Sequence, residues 1–159
     1  MRKPVKARKP LKPDLVYQST KVTKLVNYLM EEGKKATANR VVYEAMEIAG
    51  AELDTPPLEV LELAIKNISP VMEVRSRRIG GANYQVPYEV RADRRLTLAL
   101  RWLLLSARAK KGQPMNKRLA AELVAATRGE GEAVRRKDNM QKMADANRAF
   151  AHFAWSSRS

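Results

Sequence analysis

No cysteine occurs among the 159 residues. That excludes a disulfide framework, a thiolate metal centre and a thiol nucleophile. The one histidine, His152, excludes a multi-histidine metal site within the chain. No apolar run reaches the ~18 residues of a membrane-crossing helix. The first residues are basic, but no apolar stretch of ~7–15 residues follows, so they do not read as a secretory leader. Pro4, Pro10 and Pro13 stand where a transit peptide would place serines on an amphipathic helix. The expectation is a protein that works where it is made, in the cytoplasm. Acid is also missing locally. Residues 1–13 carry Arg2, Lys3, Lys6, Arg8, Lys9 and Lys12 with no Asp or Glu. Residues 101–118 carry Arg101, Arg108, Lys110, Lys111, Lys117 and Arg118, again with none.

What is present is positive charge: 31 Lys and Arg against 17 Asp and Glu, a formal net charge of +14. Hydrophobic residues make up 45% of the chain, too many for wholesale disorder. The length fits one domain. Residues 44–62 hold Glu44, Glu47, Glu52, Asp54, Glu59 and Glu62 with no Lys or Arg, so basic regions and one acidic region coexist. Such a surface favours a polyanionic partner. A membrane-binding helix would pair its basic face with a strongly apolar, aromatic one. Segment 1–13 offers only Val5 and Leu11. The charge pattern therefore favours nucleic acid and argues against a membrane.

Hydrophobic spacing predicts a mainly α fold, a single domain of six helices with a protruding β-hairpin between helices three and four. Residues 1–13 read as an extended basic arm, since three prolines and six like charges oppose a helix. Whether it is a loose tail or an arm that orders on nucleic acid stays open. The folded domain is expected over residues 14–155 and a frayed tail over 156–159. A first helix spans residues 20–32, with Val22, Leu25, Val26, Leu29 and Met30 inward, Ser19 or Thr20 as cap and Gly33 as stop. A second runs from Thr37 to Leu53, with Val41, Val42, Ala45, Ile48 and Ala49 inward. A third is capped by Thr55, begins at Pro56 and stops at Pro70. Residues 72–90 alternate with a period of two about Gly80-Gly81, a hairpin signature. Pro87 requires an edge there. Ala92–Ala109 is the expected central helix, with Leu96, Ala99, Leu100 and Leu103 inward and Trp102 and Leu105 widening that face. The fifth spans about Asn116–Thr127 with Leu119, Leu123 and Ala126 inward, and the sixth about Ala133–Ala149.

Arg94, Arg101 and Arg108 are seven residues apart. Seven residues make two helical turns with ~20° of drift, so the three line one face, interrupted by Leu98 and Leu105. Arg91 and Arg95 flank its start, Lys110 and Lys111 its end. Arg75, Arg77 and Arg78 come from the adjacent strand. The planar guanidinium binds phosphate bidentately and stacks on bases. Few acids lie nearby in sequence, so a face without internal counter-charges is expected. The segment Arg78-Ile79-Gly80-Gly81-Ala82-Asn83-Tyr84 reads either as an ordinary turn or as a projecting finger.

Signals for an enzyme are weak. Gly80-Gly81 does not sit between a strand and a helix, and Gly129 and Gly131 lack the lysine of a phosphate loop. The pairs Glu44/Glu47 and Glu59/Glu62 read as a solvated or partner-facing acidic surface. His152 reads as a packing or hydrogen-bonding histidine, and no triad geometry follows from it. No cofactor, metal site or self-oligomer is expected.

The run from Met72 to Pro87, MEVRSRRIGGANYQVP, resembles the signature of the bacterial small-subunit ribosomal protein seven family. Four further blocks agree: Pro13-Asp14-Leu15-Val16-Tyr17, Gly33-Lys34-Lys35, Ala99-Leu100-Arg101-Trp102-Leu103, and the segment from Met143 to His152. The resemblance covers residues 11 to 155. It implies a non-catalytic protein that binds the 3′ major domain of small-subunit ribosomal RNA and nucleates assembly of the subunit head. It also implies ribosomal proteins nine and eleven as neighbours. The hairpin and C-terminal helix would lie near the mRNA exit path and the E-site tRNA. By position, the ribosomal RNA surface would be the arm, Lys34, Lys35, Arg75, Arg77, Arg78 and the Arg94–Arg101–Arg108 face. Gly80, Gly81, Ala82, Asn83 and Tyr84 would face the tRNA, with Arg136 and Lys137 nearby. Val71 departs from the family, where many members have a basic residue, and so do the acids Glu130 and Glu132. The other reading of the charge is a DNA-architectural protein whose hairpin enters a minor groove.

Overall fold

Apolar side chains recurring every three or four residues set each helix, and residues unable to continue the spiral end it. The computed structural model describes residues 10–154. In chain order these form α1 (Thr20–Leu29), α2 (Lys35–Leu53), α3 (Pro57–Ile68), β1 (Met72–Ile79), β2 (Ala82–Glu89), α4 (Ala92–Ala109), α5 (Met115–Thr127), α6 (Glu132–Ala146) and a 3-10 helix over Arg148–Ala154. This is the expected mainly α single domain with a hairpin between α3 and α4. Residues 1–9 of the arm and the tail at 156–159 lie outside the described residues.

Several boundaries differ from the expectation. α1 ends at Leu29 rather than near Gly33, because Met30 already leaves the helix with ψ at 133°; Glu32 and Gly33, at φ 52° and 73°, then turn the chain left-handed. Ser19 occupies the cap position but makes no side-chain cap bond. α3 begins at Pro57. Thr55 does not cap it; its hydroxyl donates back to the Leu53 carbonyl at 2.9 Å. α6 stops at Ala146, and the chain tightens into the 3-10 helix that follows. On α2, Met46 is buried and Ile48 is exposed, which keeps the inward set at Val42, Ala45, Met46 and Ala49. Leu105 is likewise exposed and widens no core face.

The central helix is α5 rather than α4. It packs on α2, α3 and α4, and Leu119, Ala120, Glu122, Leu123, Val124 and Ala126 are all buried. α4 buries only one side, through Ala99, Leu100, Leu103, Leu104 and Ala107. Its opposite side is therefore left for arginines. Among the described residues the buried core is aliphatic, made of Val, Leu, Ile, Ala and Met without a single aromatic ring.

The hairpin pairs antiparallel from Met72 opposite Glu89 to Ile79 opposite Ala82. Gly80 and Gly81 make the two-residue turn at φ 57° and 88°, a left-handed pair that side chains resist. Pro87 sits opposite Val74, tolerable because each strand of a two-stranded sheet is an edge. A lone hairpin is marginal in water, and this one is braced. α6 lies along β1, and the 3-10 helix lies along β2. Tyr84 meets Phe150 and Phe153 with ring centroids 5.2 and 5.4 Å apart. The finger is thus covered on one side by the C-terminal segment, not free-standing.

The segment before α1 is latched by Asp14. Its carboxylate accepts the Tyr43 hydroxyl of α2 at 2.6 Å and the backbone N–H groups of Val16 and Tyr17 at 3.0 and 3.1 Å. Tyr17 packs edge-on against Tyr43, centroids 5.8 Å apart. Where the chain leaves residues 1–9 is therefore set by the fold.

Candidate nucleic-acid interface

The exposed side of α4 carries Arg94, Arg101 and Arg108 in line. Leu98, half-buried, and Leu105, 50% exposed, lie between them. The guanidinium of Arg101 sits 5.8 Å from the centroid of the Tyr28 ring, a cation–π geometry that steadies the group while leaving its N–H edges outward. Arg108 reaches toward α1, donating to the Leu29 carbonyl at 3.3 Å and pairing with Glu31 at 2.9 Å. Beside it opens a cleft of about 490 Å³ lined by Leu29, Lys34, Met115 and Arg118. Arg118 donates to the Lys110 carbonyl at 2.6 Å and so closes the C-terminus of α4. Lys35, the first residue of α2, and Lys111, in the loop after α4, are exposed.

At the other end of α4 the face continues onto the hairpin. A second cleft, of about 890 Å³, is lined by Arg75, Tyr88, Glu89, Val90, Arg91, Arg94 and Arg95. Arg95 donates to the Val90 carbonyl at 2.8 Å and meets Glu89 at 3.3 Å. Arg75 and Arg94 both bind Glu73. The structure thus brings Arg75, Arg91, Arg94, Arg95, Arg101 and Arg108 onto one continuous side.

The expectation of a face without internal counter-charges is wrong. Arg75 and Arg94 share Glu73, Arg95 pairs with Glu89, Arg108 with Glu31, Lys34 with Glu32 at 2.6 Å, and Lys110 with Glu122 at 2.8 Å. These acids come from the hairpin, the α1–α2 loop and α5; Glu32, Glu73 and Glu89 stand close in sequence to Lys34, Arg75 and Arg95, whereas the bonds of Arg94 to Glu73, Arg108 to Glu31 and Lys110 to Glu122 join distant positions. Most are solvent-exposed pairs, worth ~0–1 kcal/mol, which a phosphate replaces at little cost. Glu73 and Glu122 are different, being 4% and 0% exposed. Among the described residues, Lys35, Arg78, Arg91, Arg101 and Lys111 have no carboxylate within ion-pair distance.

The tip is a separate place. Gly80, Gly81, Ala82 and Asn83 are exposed, but the Tyr84 ring is half-buried in its phenylalanine contacts. Arg77 turns to the C-terminal segment and donates to the Phe153 carbonyl. On α6, Arg136 lies 3.8 Å from Glu132 and Lys137 3.4 Å from Asp138. Of the arm, Lys12 lies within the described part, its carbonyl accepting the Thr23 hydroxyl at 3.0 Å. Arg2, Lys3, Lys6, Arg8 and Lys9 lie outside it.

Sequence reasoning missed Glu73, Tyr88 and Tyr28. The alternation of β1 placed Glu73 on the solvent side with Arg75; the helix that lies along β1 is α6, and the Glu73 carboxylate is held by the side chains of Arg75 and Arg94. No group of three or more metal-ligating side chains occurs among the described residues, and no described helix is long and apolar enough to cross a membrane.

Residues 1–148 match the family model described as ribosomal protein S7p/S5e. The chain is similar to the small ribosomal subunit protein uS7 of Chloroflexus aurantiacus, 52% identical over 146 residues, 92% of this chain and 93% of that one. It is 54% identical to the uS7 protein of Pelotomaculum thermopropionicum over 143 residues, 90% and 92% of the two chains. The uS7 protein of Kosmotoga olearia is 46% identical over 155 residues, 98% and 100% of the two. By family model and by relatives alike, the chain belongs to the ribosomal protein S7p/S5e family, whose members are structural, non-enzymatic proteins of the small ribosomal subunit.

Proposed function

We propose that this protein binds the 3′ major domain of small-subunit ribosomal RNA through the α4–hairpin face and nucleates assembly of the subunit head. The observation that carries the reading is the row of guanidiniums from Arg75, Arg91 and Arg94, which line one cleft, on to Arg101 and Arg108, with Leu98 and Leu105 between them, on the side of α4 that the core does not use. Arg2, Lys3, Lys6, Arg8, Lys9 and Lys12 of the arm, with Lys34, Lys35, Arg77, Arg78, Arg95, Lys110 and Lys111, extend the contact to further phosphates. The mechanism has no bond-making step. Cations displace condensed counterions from the RNA, and the shape of a folded junction supplies specificity. The exposed tip at Gly80–Asn83, with Tyr84, Arg136 and Lys137, faces the E-site tRNA and the exiting mRNA. Ribosomal proteins nine and eleven adjoin it in the cytoplasmic subunit.

The test is filter binding of the protein to a folded ribosomal RNA fragment with duplex DNA as competitor. The RNA reading expects the fragment to survive DNA excess. Displacement by an equal mass of duplex overturns it in favour of a DNA-architectural role.

A further inference from the structure

A buried carboxylate at the centre of a cationic face is out of place if the face works by charge alone. Glu73 is 4% exposed, stands on β1 within reach of Arg94 from α4, and removes one unit of positive charge where phosphate is expected. Burying an anion is costly unless hydrogen bonds and partners offset it. Here they do. Oε2 accepts the Nε–H of Arg94 at 2.6 Å, and Oε1 accepts the Nε–H of Arg75 at 2.5 Å, with Nη2 of Arg75 on the same oxygen. Both arginine side chains remain about half exposed, at 54% for Arg75 and 47% for Arg94. The carboxylate therefore grips each guanidinium along its inner edge and leaves other N–H groups outward. Arg75 also lies 5.4 Å from the centroid of the Tyr88 ring. Arg91 completes the lining of the cleft that these groups open onto.

We infer that Glu73 is a positioning residue which sets Arg75 and Arg94 as a preformed clamp for a single RNA phosphodiester in this cleft, with the Arg75–Tyr88 pair as the surface on which an adjoining base stacks. The inference rests on the ribosomal RNA reading above. A free arginine surrenders much rotamer freedom on binding phosphate. Two arginines already held by one carboxylate have surrendered it on folding, so binding a backbone bend of fitting shape is favoured over binding an extended strand.

The two accounts of Glu73 differ in sign. If charge alone matters, E73Q adds one positive unit, tightens every RNA and steepens the salt dependence. If Glu73 positions the clamp, E73Q weakens the folded fragment about tenfold, the worth of one lost charge-assisted hydrogen bond. It also flattens the salt slope on that fragment, and it leaves an unstructured oligonucleotide bound as well as before or better. Measured with the full-length protein, tighter binding of the folded fragment overturns the inference, and so does equal weakening on both RNAs. E73D is the second variant, usable should E73Q not fold. It keeps the charge and withdraws the carboxylate by one methylene, so it is neutral on the charge account and weakening on ours. R75A and R94A separate the two levels of the argument. If neither alters binding of the folded fragment, the ribosomal RNA face itself is wrong. If both weaken it while E73Q tightens it, only the role of Glu73 falls.

Discussion

Arg101 and Arg108 lie two turns apart on α4 yet play unequal structural parts. Arg108 holds the Leu29 carbonyl and Glu31, so replacing it disturbs the α1–α2 loop as well as any RNA contact. Arg101 touches only the face of Tyr28 among the interactions described. R101E is therefore the cleaner variant: fragment affinity should fall at least tenfold, and the salt slope by about one unit, with helix content by circular dichroism unchanged. Asp14 gives a prediction of another kind. Burial alone would raise its pKa, but the Tyr43 hydroxyl and the N–H groups of Tyr17, Val16 and Leu15 stabilise the anion and bring it below the ordinary 3.8. A carboxyl with a lower pKa folded than unfolded contributes stability that is present above the unfolded value and is lost as pH falls through the folded one. The gap in melting temperature between wild type and D14N should thus be full at pH 7 and close below about pH 4. The same bond, with burial, pushes Tyr43 up to about 12, and ultraviolet titration of D14N should bring that phenol back toward ~10. At this scale the arginines of the face were legible, because seven-residue spacing on a helix is decisive. Glu73 and Asp14 were not: Arg75 is two positions from Glu73, but the bonds to Arg94 and Tyr43 come from 21 and 29 positions away.

The start of α6 depends on a residue from α5. Glu122, fully buried, accepts the Ala133 N–H at 3.0 Å, serving as a cap supplied by a neighbouring helix. Gly131 precedes it at φ 94°, and a Cβ there would stand 3.0 Å from Glu122 Oε1 and 3.1 Å from the Ala125 Cβ. G131A should cost about 1–3 kcal/mol in urea unfolding and should loosen the hairpin, since α6 lies along β1. The six α-helices, their order and the hairpin between α3 and α4 were readable from apolar spacing and from Gly80-Gly81; the 3-10 helix over Arg148–Ala154 was not. The ends were not. α1 stops early because Met30 turns to an extended ψ of 133°, and α6 stops early because the following segment tightens into the 3-10 helix that lies along β2. Neither event leaves a trace in local periodicity. That α5 outranks α4 as the central helix was also hidden. Ala126 was read as inward, but Ala120 and Glu122 were not, and both are buried.

Across the whole molecule, charge is divided by side. Glu47, Glu52, Asp54 and Glu59 are exposed on or beside α2 and α3, while the arginines occupy α4 and the hairpin base. A polyanion approaching such a body meets an orienting field before contact. If ~6–10 phosphates are engaged, affinity for the folded fragment should drop ~10³–10⁵-fold between 50 and 200 mM salt. Co-sedimentation with the small subunit should weaken in parallel, and a flat salt response would contradict the assigned face. The division was visible in the sequence as acid-free stretches at 1–13 and 101–118, whereas the internal ion pairs that temper it needed coordinates. The aliphatic make-up of the core has an optical corollary. Every ring among the described residues, Trp102 of α4 included, sits at the boundary between interior and solvent. The sequence has one other indole, Trp155; in a W155F variant the intrinsic emission is that of Trp102 and reports on the surface helix that carries the arginines, so a titration with unlabelled RNA can be followed by quenching without attaching a dye.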